Sequence, residues 1–370
     1  MQHPGEDQTA MATTKSIREH LEDDEAHTLS RFAQRSTGTK GRTRAEPRDE
    51  DRPEWDREMR SDFEQDLDRI IQSKSFRRLA HKTQVFLAPE GDHYRTRITH
   101  TLEVAQAART MTRCLGLHGF LAEAIAMGHD LGHTPFGHAG EWALAQIMPG
   151  GFHHARQSLR VVDQLENNGA GLNLTFEVRD GILKHSKGKG PIVSDNPNLT
   201  AMTLEGQIVR LADIIAYANH DLDDAMRAGL LTESDVPEAI RRVLGEGPEV
   251  RARRLVLGVV HGTDLEARAV IRMKPEVLEA LTNLRDFLYD RVYDNPEVHG
   301  EFDKAQHILG ELWEHYHKHE GEFRAKWWPE GTREEEGLDR AVCDFLSGMT
   351  DRYAIRAYEE IRLPKRWSIF

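Results

Sequence analysis

The chain has 370 residues, 49 of them basic and 62 acidic, for a formal net charge of −13. No apolar run approaches the roughly 20 residues of a membrane span, which excludes a helical integral membrane protein. Two cysteines, Cys114 and Cys343, exclude a disulfide scaffold or a four-cysteine zinc module, and the acidic surplus disfavours binding along a DNA backbone.

Residues 1–55 are polar and charge-mixed without apolar periodicity, and read as an N-terminal arm that is flexible or ordered by a partner. The opening MQHPGEDQTAMATTKS lacks the basic start and apolar run of a signal peptide, so the expectation is a cytoplasmic protein. An ordered body begins near Phe63 and continues without an evident linker. It reads as helix after helix. Residues 95–115 place Ile98, Leu102, Ala105, Ala108 and Met111 at helical spacing, and 119–133, 154–166 and 203–229 follow. Further candidates are 235–245, 249–262, 275–293, 297–319 and 335–361. Strand material is confined to 83–88 and 254–260. The expected fold class is all-α.

Histidine is unevenly spread. Seven of the twenty lie between 100 and 154: His100, His118, His129, His133, His138, His153 and His154. His129 and Asp130 sit together where a helix ends, so one turn offers a neutral nitrogen and an anionic oxygen to a divalent metal. His100 lies one helix upstream. Asp213 lies in a run that is apolar nearly all round, and a buried carboxylate there requires a partner, either an arginine or a metal. Asp213, Tyr217, His220, Asp221 and Asp224 form one polar stripe that suggests a cavity wall, with Asp224 read as solvated. His138 and Glu141, three apart at a helix start, suit a histidine held by a carboxylate for acid–base work. Between Arg69 and Arg97 seven bases face two acids; Arg97 is placed to hold a phosphate, while Lys74 and Arg95 read as surface charges.

These residues resemble a family. His100, His129-Asp130 and Asp213 resemble the H…HD…D signature of HD-domain phosphohydrolases. SKSFRRLAHKTQVF (73–86), HYRTRITHTLEVAQAAR (93–109), GHDLGHTPFGHAGE (128–141), FHHARQSLRVV (152–162), LEGQIVRLADIIAYANHDLDDA (204–225) and GMTDRYA (348–354) are similar to the bacterial dGTPase-like deoxynucleoside triphosphate triphosphohydrolases. The pattern departs at His153 and Ala155, where relatives often carry Glu and Asn.

The resemblance implies an HD-domain helical fold: a catalytic core over 56–230 and a helical C-terminal region, 231–370, that packs on it and makes oligomer contacts. It implies hydrolysis of a dNTP to deoxynucleoside and tripolyphosphate. His100, His129, Asp130 and Asp213 would hold a divalent metal, Mg or Mn first, with Fe, Co, Ni or Zn also compatible. His138 oriented by Glu141 would transfer the proton. Arg97, Gln84, His133, His154, Tyr217 and Asp221 would bind substrate. Implied partners are the dNTP, a dNTP effector between subunits, and further copies in a tetramer or hexamer. The alternatives are another HD nucleotide phosphohydrolase, acting as a monophosphatase or phosphodiesterase, and a non-catalytic binder of nucleotides or single-stranded nucleic acid.

Overall fold

The computed structural model describes residues 17–44, 60–84, 95–186, 190–293 and 296–364. Among the described residues lie sixteen α-helices and no strand. They are α1 (Ile17–Thr28), α2 (Asp62–Gln72), α3 (Lys74–Arg78), α4 (Arg97–Leu115), α5 (Gly119–Gly128), α6 (Gly137–Ile147), α7 (His154–Arg160) and α8 (Phe176–Lys184). Then come α9 (Leu204–Arg227), α10 (Glu238–Leu244), α11 (Pro248–Gly262), α12 (Pro275–Leu288), α13 (Pro296–Lys318), α14 (Glu320–Lys326), α15 (Gly337–Ser347) and α16 (Asp351–Arg362). The fold is all-α, as its periodicity indicates.

The helix ends have local causes. A capping box of Thr96 and Thr99 starts α4, and Gly116, at a left-handed φ of 67°, ends it. Thr203 caps α9 by accepting from the Gly206 N–H. Short π-helical segments, Val161–Leu165 and Tyr289–Tyr293, extend α7 and α12.

Helix α5 is the centre of the first core. Its small apolar residues let α2, α4, α8 and α9 surround it. A Cβ at Gly128 would lie 2.5 Å from the Ile182 side chain, and one at Gly181 would lie 2.5 Å from that of Ile125, so these two glycines set the close approach of α5 and α8. Helix α9 is buried on most of its surface, which explains its near-continuous apolar sequence.

Two expectations are corrected. Residues 254–260 are not a strand but part of α11: Leu255 and Val259, four apart, are both fully buried on one helical face. The other strand candidate, 83–88, lies largely outside the described residues, although Thr83 pairs with Thr96 in an isolated bridge. The arm assigned to 1–55 is docked on its own chain over residues 17–44. Glu25 accepts from the Ser36 hydroxyl at 2.6 Å and pairs with His118 at 2.9 Å; Glu177 accepts from Thr39 and the Lys40 N–H at 2.7 and 2.8 Å; Arg42 pairs with the buried Asp66. These charge-assisted bonds hold residues 17–44 against the body of the chain.

The cores also cut across the boundary drawn at residue 230. The first core continues from α9 into α10, α11 and α12, through Ile240, Leu255 and Leu281. The second joins α6, through Ala143 and Leu144, to α13, α15 and α16. Helix α6, which follows the His-Asp turn directly, is therefore anchored in the C-terminal lobe. The site lies where the two cores meet.

Candidate metal and phosphate site

The His129–Asp130 turn is held by backbone proximity. A Cβ on Gly132 would fall 2.1 Å from the Ser158 backbone N, a distance no side chain tolerates. The close approach lets Ser158 Oγ donate to the His129 carbonyl at 2.6 Å and accept from the Gly132 N–H at 2.9 Å. Phe136 follows in the left-handed region at φ 62°, where a non-glycine residue is strained. Its N–H donates to Asp351 Oδ1 at 2.9 Å, and Asp351 Oδ2 takes the Thr83 N–H and hydroxyl, so α16 fixes the turn from the C-terminal lobe. Lys82, fully buried, donates to the carbonyls of His133 and Ser347. Burial first, with Arg78 second, brings its pKa down to about 7.

The four expected metal donors converge. His100 Nε2 is 3.1 Å from Asp213 Oδ1, and His129 Nε2 is 3.8 Å from the same oxygen and 3.6 Å from Asp130 Oδ2. His129 donates Nδ1–H to the Ala126 carbonyl at 2.6 Å, which leaves Nε2 as a lone-pair donor, buried and without a hydrogen-bond partner. Burial pushes both carboxyls up, but the surrounding groups together outweigh it, with the Arg97 charge among them at Asp130 and the His100 hydrogen bond first among them at Asp213; both lie below the usual carboxylate range. Two imidazoles and two carboxylates around an orphaned nitrogen fit a divalent cation.

Beside them lies an anion site. Arg97, 2% exposed, donates Nη1–H to Asp130 Oδ2 at 2.6 Å. Its Nε and Nη2, the edge suited to bidentate binding, are buried without a partner. The Gln84 carbonyl and the Arg97 Nη2 flank Gly137, and Gln84 Oε1 is also buried and unpaired.

The carboxylate expected to hold His138 holds another histidine. Glu141 Oε1 accepts from both the backbone N–H and Nδ1 of His154, each at 2.8 Å. His138 is solvent-accessible, with its ring 6.0 Å from His133 and 6.3 Å from Tyr293. One helical turn makes His138 and Glu141 neighbours on α6, but Glu141 turns to the start of α7. The consequences differ. Burial opposes charge on His154, yet the Glu141 carboxylate overcomes it and raises the pKa. For the buried His133, burial and then Arg97 lower it. His154 Nε2 lies 3.1 Å from Nε2 of His185, whose Nδ1–H donates to the Ile182 carbonyl. The His185 Nε2 is therefore an acceptor for the His154 Nε2–H, and burial first pushes the His185 pKa down to about 3.

Tyr217 and Asp221, four residues apart, share one face of α9. Asp221 Oδ2 accepts from the Tyr293 hydroxyl, while Oδ1 is buried without a hydrogen-bond partner. The sequence reading left His185, Tyr293, Lys82 and Asp351 without a role, and placed His220 on the stripe without one. Asp224 and Arg95, read as solvated, pair with each other at 2.7 Å.

The chain is similar to known proteins. The HD domain model matches residues 97–218, and the phosphohydrolase-associated domain model matches 271–360. A deoxyguanosinetriphosphate triphosphohydrolase-like protein of Desulfatibacillum aliphaticivorans is 47% identical over 359 residues, covering 94% of this chain and 99% of that protein. A protein of the same description from Caldanaerobacter subterraneus subsp. tengcongensis is 45% identical over 351 residues, covering 95% and 97%. One from Clostridium perfringens strain SM101 is 45% identical over 355 residues, covering 94% and 98%.

Proposed function

Because the chain belongs to the deoxyguanosinetriphosphate triphosphohydrolase-like family of metal-dependent HD-domain phosphohydrolases, we propose that it converts a deoxynucleoside triphosphate and water to deoxynucleoside and tripolyphosphate. One observation carries the reading: the unpaired Nε/Nη2 edge of Arg97 opens beside the four metal donors, and a histidine held by the Glu141 carboxylate stands close by. Phosphoryl binding, charge neutralisation and proton delivery meet in one buried place.

In this reading His100, His129, Asp130 and Asp213 hold the divalent metal. When bound, the metal supplies Lewis-acid polarisation of a phosphoryl oxygen. Arg97 grips the α-phosphate by its free edge and is kept in place by Asp130. His154 delivers its Nε2 proton to the departing 5′ oxygen, and Glu141 stabilises the imidazolium until transfer. The proton-transfer role thus moves from His138, the residue the sequence pattern favoured, to His154. His133 and His185 are held neutral and line the phosphate path without adding repulsive charge to the metal. The Tyr217 ring fills the space of a 2′-hydroxyl. The Asp221 carboxylate takes the 3′-hydroxyl, and the free Gln84 amide oxygen faces the sugar or base.

The test is product identification. The purified protein is incubated with each dNTP, alone and mixed, and with each NTP, in Mg or Mn. Deoxynucleoside and tripolyphosphate are expected from dNTPs. Release of phosphate or pyrophosphate instead would overturn the reaction assignment.

A further inference from the structure

His100 belongs to the metal donors and Asp221 to the sugar wall, yet a single buried side chain spans them. His220 Nε2 is 2.8 Å from His100 Nδ1, and His220 Nδ1 is 2.8 Å from Asp221 Oδ1. The three residues are 1%, 0% and 1% exposed, so no water competes for these contacts. Asp213 and His220 are seven residues apart on α9 and hence on one face, two turns from each other. That helix therefore clamps both ring nitrogens of His100: Asp213 meets Nε2 and His220 meets Nδ1. The His220 and Asp221 atoms face one another without the alignment of a full hydrogen bond, and neither has another partner. Asp221 is fixed in turn by Tyr293, from the π-helical segment after α12.

The chemistry gives this chain a direction. With Nε2 of His100 used as a metal donor, its proton resides on Nδ1 and is donated to His220 Nε2. His220 then carries its own proton on Nδ1, toward the Asp221 carboxylate. A metal-binding imidazole backed in this way has a fixed tautomer, a fixed ring plane and a more basic donor nitrogen. We propose that His220 is a positioning residue for His100 and that Asp221 has a second task as the carboxylate behind it. Metal affinity then depends on two side chains that contact neither metal nor phosphate. The inference rests on the reading of His100 as a metal donor.

The test measures Mn²⁺ affinity of the full-length, nucleotide-free protein by electron paramagnetic resonance of the free ion, so no turnover is involved. His220→Leu, which removes both contacts, is expected to weaken Mn²⁺ binding by about 10- to 100-fold. His220→Gln keeps an acceptor for His100 and a donor for Asp221, and is expected to recover most of that loss. The isosteric Asp221→Asn is expected to weaken binding by about tenfold. A residue serving only the sugar would change the KM for nucleotide and leave metal-only affinity untouched, so wild-type Mn²⁺ affinity in both His220→Leu and Asp221→Asn overturns the proposal. Asp130→Asn separates the two levels. If it too binds Mn²⁺ normally, the metal-donor reading fails; if it alone loses the ion, only the His220 link fails. Should His220→Leu not fold, Asp221→Asn and His220→Gln decide the matter.

Discussion

Glu141 meets His154 twice through one oxygen, accepting its backbone N–H and its Nδ1–H at 2.8 Å each. The backbone bond fixes where α7 begins, and the side-chain bond fixes what the first side chain of α7 can do. A residue thirteen positions away thus sets both the geometry and the charge of the proposed acid. Glu141→Gln keeps the shape and removes the charge, so kcat should fall by about 10²- to 10⁴-fold, with the alkaline limb of the pH–rate profile moved toward acid. An unmoved limb would assign the proton to another group.

The same pair has a stability window. Glu141, below its ordinary 4.5, contributes stability that is present above that value and lost as pH falls. His154, above its ordinary 6.5, contributes stability that is complete below that value and lost as pH rises through the raised pKa. The melting difference between wild type and Glu141→Gln should be largest between about 4.5 and 6.5 and shrink toward alkaline pH. The neutral His133 and His185 act the other way, since acid must charge them, so both proteins should melt lower as pH drops below 6.5. Metal-free protein followed by circular dichroism gives both quantities.

Asp130 faces two cations, one in the protein and one expected from solution. Asp130→Ala should abolish metal binding and also leave Arg97 buried without its counter-charge. Removing one partner of a buried pair costs about 3–5 kcal/mol. Denaturant unfolding without metal should show this loss, and a smaller one for Asp130→Asn, which retains an acceptor.

Arg97→Lys preserves charge and loses the fork. A lysine can reach Asp130 or the phosphate as a point donor, but not both with the same planar group. The expected result is a fall of roughly 10²-fold in kcat/KM with modest change in melting temperature. Equal activity would show that the free Nε/Nη2 edge is not used.

Gly132 tests the turn itself. A Cβ there meets the Ser158 N and Gln157 C at 2.1 and 2.3 Å, both backbone atoms that cannot rotate away. Gly132→Ala should destabilise by about 3 kcal/mol and separate His129 from α7. Melting and Mn²⁺ affinity should fall together, whereas Gly150→Ala, with open space around its Cβ, should leave Mn²⁺ affinity unchanged.

The sequence by itself determined the helical class and singled out the four candidate donors. The 3.6-residue period of apolar positions survives any packing. The His129–Asp130 pair lies on one turn, and a carboxylate in a stretch as apolar as 208–216 has few outcomes. Sequence proximity also made His138 the natural partner of Glu141, and 254–260 stood as minor strand material inside the 249–262 helix candidate. Tertiary structure decided both otherwise: Glu141 is bound from α7, and Leu255 and Val259 gain burial only as one face of a helix. The same holds for the docking of residues 17–44, for His185 against His154, and for His220 between His100 and Asp221, whose separations of 120 and 1 residues place one contact beyond local reading and the other within it. Local spacing fixes which side chains share a turn or a face. Which faces meet is set by burial of the two cores, and it is that packing, through α6 anchored in one and α9 in the other, that turns a set of histidines into a site with assigned protons.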